Sequence, residues 1–136
     1  MRNMKKQIFM IILLIVTASM SFAFLNLDLV GEWKPETIGL HFKGEEEQPK
    51  GATGRYFITE QNGHAFTGYK LIKTKHNDNH KEYFSGVISY DGKRLFFAEH
   101  IDGYAFADVV TEDLIYYYHL EDKDAKAIIV KLTRVQ

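Results

Sequence analysis

From residue 25 onward, apolar and polar positions alternate with a period of two, in short runs separated by turn residues. Leu25, Leu27 and Leu29 alternate with Asn26 and Asp28 and lead into a first strand through Trp33. Pro35 has no N–H to give to a ladder, so it is expected to bend or interrupt that strand before Thr37–Phe42 resumes it. Residues 43–54, KGEEEQPKGATG, are the one long polar stretch and read as an exposed loop. Seven further strands are predicted at Arg55–Thr59, Ala65–Lys73, Lys81–Tyr90, Arg94–Ile101, Tyr104–Val110, Leu114–Leu120 and Ala125–Val135. Asn62-Gly63, Asp91-Gly92 and Asp102-Gly103 lie between strands, and these residue types tolerate the positive φ that tight hairpins need. Residues 76–80, 111–113 and 121–124 supply the other polar connections. No run of apolar residues at helical spacing is long enough for a helix.

Eight strands joined mostly by hairpins leave two sheet edges exposed. The economical solution is closure into an eight-stranded antiparallel up-and-down β-barrel, a meander. Such a barrel has an interior just wide enough for side chains or one small ligand. If Arg134 points inward, Ile128, Val130 and Leu132 point inward with it and Ile129 faces out. Phe57 or Ile58, Phe84, Ile88, Phe96 or Phe97, and Phe106 are the expected remaining core.

Ahead of this domain, residues 1–23 follow a different grammar. Arg2, Lys5 and Lys6 give a positive start, Ile8–Val16 is an unbroken apolar run, and Ser21-Phe22-Ala23 places small residues at a cleavage site. This is the pattern of a secretory signal peptide cut after Ala23, leaving residues 24–136 as the mature barrel domain without a stable membrane anchor. The alternative is an uncleaved anchor, since an apolar stretch of about 18 residues is near the lower limit for spanning a bilayer. Both readings place the domain outside the cytoplasm, in a periplasm or secreted.

The net charge of −1 includes the three leader cations, so the remainder of the chain carries −4. An acidic body argues against nucleic acid, which is held chiefly by Lys and Arg. The chain has no cysteine, which excludes disulfides, thiolate metal sites and a lipoprotein anchor. An exported domain this small without disulfides fits a bacterial envelope better than a eukaryotic secretome.

Gly31-Glu32-Trp33 at the start, about eight meandering strands, and Arg134 in the last strand together resemble the calycin group of lipocalins, fatty-acid-binding proteins and avidins. The resemblance implies that Trp33 closes one end of the barrel against Arg134, with Gly31 beside them. A guanidinium on an indole face is worth about 0.5–2 kcal/mol in any fold. Within the group, the short length and the hairpin from Asn62 to Tyr69 are more similar to avidin-like barrels than to lipocalins, which are longer and carry a C-terminal helix. The avidin pattern of several pocket tryptophans is missing, since Trp33 is the only one, and this argues against biotin.

Candidate chemistry is sparse. Ile115-Tyr116-Tyr117-Tyr118-His119 is the densest aromatic stretch. Tyr116 and Tyr118 share one face and Tyr117 and His119 the other, and the sequence leaves open which is inside. Tyr69, His100, Tyr116 and Tyr118 are the candidate ligand-binding residues of a polar-tipped aromatic pocket at the barrel mouth, opposite Trp33. The alternative is a filled core, with the outer tyrosines on the surface or in a subunit contact.

His76 and His80 are four apart on a loop, where that spacing has no geometric force. His100 and His119 would need Glu99 or Asp108 to complete a metal site, and no metal or cofactor is expected. Ser85 and Ser89 lack a nucleophile-elbow context, and Glu60, Glu82, Glu99 and Asp108 show no catalytic pairing. The chain therefore reads as a non-enzymatic exported barrel binding a small, partly apolar ligand. The alternative reading is an envelope or secreted interaction or inhibitor module acting through loops such as residues 43–54.

Overall fold

The computed structural model describes residues 27–43, 45–46, 54–72, 80–100, 103–122 and 125–136. The leader pattern, His76 and residues 47–53 of the polar stretch lie outside them. All regular structure among the described residues is β: β1 Gly31–Phe42, β2 Glu45–Glu46, β3 Gly54–Asn62, β4 Ala65–Ile72, β5 His80–Ile88, β6 Arg94–Glu99, β7 Tyr104–Thr111, β8 Leu114–Glu121 and β9 Lys126–Arg134. Strands β3 to β9 pair in chain order, β1 joins β3, and β1 also pairs with β9. That last pairing closes an eight-stranded antiparallel meander. The short β2 is an extra return of the chain onto His41 and Phe42.

The turn chemistry sits where the pattern puts it. Gly63, Gly92 and Gly103 all have positive φ, at 58°, 70° and 100°. Pro35 departs from expectation. β1 runs through it without a break, paired with Leu132 of β9. The β1–β3 ladder covers only Gly31 to Trp33. Pro35 therefore lies where β1 has already left its β3 neighbour, which is the edge-like position a strand proline tolerates. The irregularity falls later, as a register shift between Thr37 and Gly39.

Inside, alternate residues of each strand stack in layers. At one end Leu29, Trp33, Leu95, Ile115 and Leu132 are buried, and Phe66, Phe84 and Phe97 fill the level above. The three phenylalanines meet edge-to-face at centroid distances of 5.2–6.5 Å. Two inward positions are glycines, and each is filled by a ring from the facing strand. Phe84 pairs with Gly68, and Phe66 pairs with Gly86. A Cβ at Gly86 would stand 2.2 Å from the Phe66 ring, so this pair requires glycine. The open core choices resolve to Ile58 and Phe97, with Phe57 and Phe96 outside. Phe106 is corrected: its neighbours Ala105 and Ala107 are the buried ones, and Phe106 stacks on Tyr118 on the outer wall. β7 thus presents small residues inward, where the rings of Phe97 and Tyr117 need the space.

The Trp33 end is closed from three directions. Trp33 is fully buried, and its Nε1 donates to the Leu29 carbonyl at 3.0 Å. Gln61 receives the Leu29 N–H at 2.8 Å and donates to the Leu27 carbonyl at 2.7 Å, which folds the entering chain across the end. Arg134 lies 4.5 Å from the Trp33 ring and donates to the carbonyls of Val30, Asp28 and Glu112. It also pairs with Asp113 at 3.0 Å. One side chain thereby ties β1, β9, the entering segment and the β7–β8 turn together.

Trp33→Ala should cost about 3–5 kcal/mol in urea melts, the range for removing a buried aromatic. Arg134→Ala should also destabilise, by less. A Trp33 variant that melts with the wild type would remove the closing role from this end.

Candidate functional site

The opposite end of the interior is built differently. Following the inner face of each strand away from Trp33, the apolar residues give way to charge. β4 runs Phe66, Gly68, Lys70; β6 runs Leu95, Phe97, Glu99; β8 runs Ile115, Tyr117, His119, Glu121. β5, entering from this end, begins its inner face with Glu82 before Phe84. Strict alternation thus delivers five ionisable side chains to one end of one interior.

They form a chain of alternating sign. Lys70 Nζ lies 3.1 Å from Glu82 and 2.8 Å from Glu99. The other oxygen of Glu99 faces His119 Nδ1 at 3.5 Å. His119 Nε2 meets Glu121 at 2.8 Å, and Glu121 meets Lys126 of β9 at 3.0 Å. With His119 protonated, three cations and three anions balance. The inner links are nearly dry: the side chains of Glu99 and Lys70 are 1% and 8% exposed. Tyr117 donates its hydroxyl to Glu99 in a short hydrogen bond, and its ring meets Tyr56 edge-on at 5.5 Å. Glu99 Oε2 and His119 Nδ1 are buried without a hydrogen bond, facing only each other at ion-pair distance.

The titration behaviour follows from this packing. Burial pushes the Glu99 carboxyl up, but the facing His119 imidazole, the Lys70 ammonium and the Tyr117 hydroxyl outweigh it and hold the group at about 2. Burial pushes Tyr117 and Tyr56 well above the ordinary phenol value, and the nearby carboxylates push the same way. Burial works against a charged His119, yet Glu99 and Glu121 prevail and its pKa is raised. Glu121 is lowered by His119 and Lys126 against its own burial.

The four candidate ligand residues stand elsewhere. Tyr69 is on the outer face of β4, stacked on Phe57 at 4.9 Å with the Lys81 ammonium 3.8 Å from its ring centre. His100 is exposed beyond the end of β6 and contacts Ser85 Oγ at 3.3 Å. Tyr116 and Tyr118 alternate with the buried Ile115, Tyr117 and His119, so they face outward. Their expected place at an inner pocket is therefore corrected: Tyr117 and His119 hold the inside. His100 and His119 lie on opposite sides of the wall. Among the described residues no group of three or more His, Asp and Glu is arranged to hold a metal ion.

A second feature is on the outer wall. A depression of about 630 Å³ crosses β4, β5 and β6, lined by Ala65, Thr67, Ser85, Val87, Phe96 and Tyr104 among others. Val87, Phe96 and Tyr104 are 50%, 46% and 79% exposed, high for large apolar or aromatic side chains that adjoin one another. The sequence reading allowed Phe96 as core; its outward phase, fixed by Phe97 pointing in, makes it part of this patch.

No family model matches the chain, and no curated protein does. A solved structure of a redesigned β-barrel is similar to it, with a TM-score of 0.55 at 7% sequence identity, over 79% of this chain and 92% of the other. The likeness concerns the fold. This chain is an eight-stranded antiparallel β-barrel.

Glu99→Gln should destabilise the barrel by about 3–5 kcal/mol at pH 6, because it leaves Lys70 and His119 buried without their shared anion. The wild-type carboxylate contributes stability above its ordinary value of 4.5, and that contribution is lost as pH falls toward about 2. The variant's stability should therefore fall less steeply between pH 4.5 and 2 in urea melts. Parallel acid limbs would remove Glu99 from the centre of the network.

Proposed function

We propose that this barrel is a non-enzymatic binding module whose working surface is the outer wall of β4–β6, and that its occupant is a protein segment. The single observation behind this reading is the contrast between the two faces of the wall. The described inward positions carry buried side chains packed or ion-paired with one another. The outer depression, by contrast, gathers Val87, Phe96 and Tyr104 with hydroxyls of Thr67 and Ser85 at its sides. Aromatic and aliphatic anchors with a few polar groups are the composition of interface centres.

A small, partly apolar ligand is the second occupant this groove suits, since its volume lies within the usual range of such sites. Membership of the calycin group is supported by Gly31, Trp33 and Arg134 meeting at the closed end. Export to a periplasm or the medium is supported by the leader pattern of residues 1–23.

Site-specific photo-crosslinking in the native host tests this. With p-benzoylphenylalanine in place of Val87, a discrete adduct heavier than the unmodified chain by the mass of a protein is expected. The same probe in place of the exposed Thr133, across the barrel, should give none. Phe96→Glu should abolish the adduct while changing stability by no more than about 0.5 kcal/mol. An adduct of small mass would favour the ligand, and equal labelling at both positions would overturn the groove altogether.

A further inference from the structure

His119 is the one link of the charge chain whose ordinary pKa lies near neutrality. Nε2 lies 2.8 Å from Glu121 Oε1, and Nδ1 lies 3.5 Å from Glu99 Oε2. Ionised carboxylates only accept, and a neutral imidazole has a single N–H to offer. Nε2 within hydrogen-bond distance of one carboxylate and Nδ1 facing another at ion-pair distance both favour the doubly protonated imidazolium.

Among the described residues, charged and aromatic groups face His119 from several strands. Lys70 on β4 and Glu82 on β5 extend the chain behind Glu99 of β6. Tyr117 precedes His119 on the inner face of β8, its ring 6.4 Å away and nearly parallel, and Tyr56 of β3 packs on Tyr117. Lys126 of β9 holds Glu121 from the far side. β7 presents Ala105 opposite His119, while its titratable Tyr104 and Asp108 alternate to the outer wall. Gly103, ahead of β7, lies so close that a Cβ there would stand 2.9 Å from His119 Cε1.

We propose that His119 is a pH-operated latch: as an imidazolium it ties β6 to β8 across the charged end of the barrel, and loss of its proton releases that end. Once the ring is neutral, one nitrogen turns a lone pair toward a carboxylate, and nothing cationic separates Glu99 from Glu121. The ring is driven to turn, and the close approach of Gly103 to Cε1 carries that movement to the start of β7. The sign is set by the raised pKa. The latch is fully closed below the ordinary histidine value of 6.5 and opens as pH rises through the higher value of the folded state. At the Trp33 end the described histidine, His64, contacts the backbone carbonyl of Ile88 at 3.1 Å and bridges no pair of carboxylates, so that end stays closed.

Amide exchange of the full chain, corrected for intrinsic rates, tests this between pH 5.5 and 8.5. Protection at Ala105, His119 and Glu121 should fall at least tenfold more than at Trp33, Ile115 and Leu132. In His119→Gln the two ends should show the same pH dependence. Equal loss at both ends of the wild type, or an unchanged differential in the variant, would overturn the latch. If His119→Gln fails to fold, ring nitrogen shifts of the wild type decide: two protonated nitrogens at pH 6 support the latch, and a single neutral tautomer overturns it.

Discussion

Closure of β1 on β9 is the constraint from which the other features follow. Nine residue pairs from Trp33–Arg134 to Phe42–Lys126 make that seam. Without it the meander would present two long edges to solvent, each a template for aggregation. The seam begins at the pair that stacks, Trp33 and Arg134, so the cation–π contact and the first ladder pair coincide. Arg134 also holds the entering chain and the β7–β8 turn. Register is thereby fixed at one end, and a one-residue slip would turn the whole inner face outward.

Once register is fixed, the interior divides into two chemically distinct halves. Rings and aliphatic side chains fill the Trp33 half. The other half holds an ion chain that costs desolvation energy and that well-packed apolar residues of similar size would often replace without loss. Such a network is a poor route to stability, and its presence asks for another explanation. Its alternating signs cross from β4 and β5 to β9, so it acts on strand arrangement at that end. The connections from β2 to β3 and from β4 to β5 join strands at this same end, whereas the turns at the Trp33 end are tight.

Much of this was legible in the residues. Hairpin glycines and period-two alternation gave the strand order, and Trp33 with Arg134 gave the closed end. Pro35 misled because sequence shows a missing donor but not whether a neighbour needs it. The phase of the Tyr116–Tyr118 strand stays open in the local pattern, because both of its faces are aromatic and the pattern cannot rank them. The phase was recoverable from β9. With Arg134 inward, Val130 and Ile128 are inward, and the four-residue connection 122–125 sets Tyr117 and His119 opposite them. The ion chain had a signal too. Lys70, Glu82 and Glu99 each continue the apolar face of their strand at the same end of the barrel. Read one strand at a time they are scattered charges, and only the antiparallel order of three strands brings them together.

A filled barrel also changes where binding is sought. Folding uses the inner face of each strand, and at β4–β6 the two in-phase glycines let facing rings occupy that interior fully. The outer residues of the same strands then take no part in the core. Ala65, Val87 and Phe96 pair across the wall in register. A soluble monomer has no folding reason to keep such a row apolar, since Thr, Lys or Glu would serve the strand as well. The groove proposed as the working surface lies over this row, beside the exposed Tyr104.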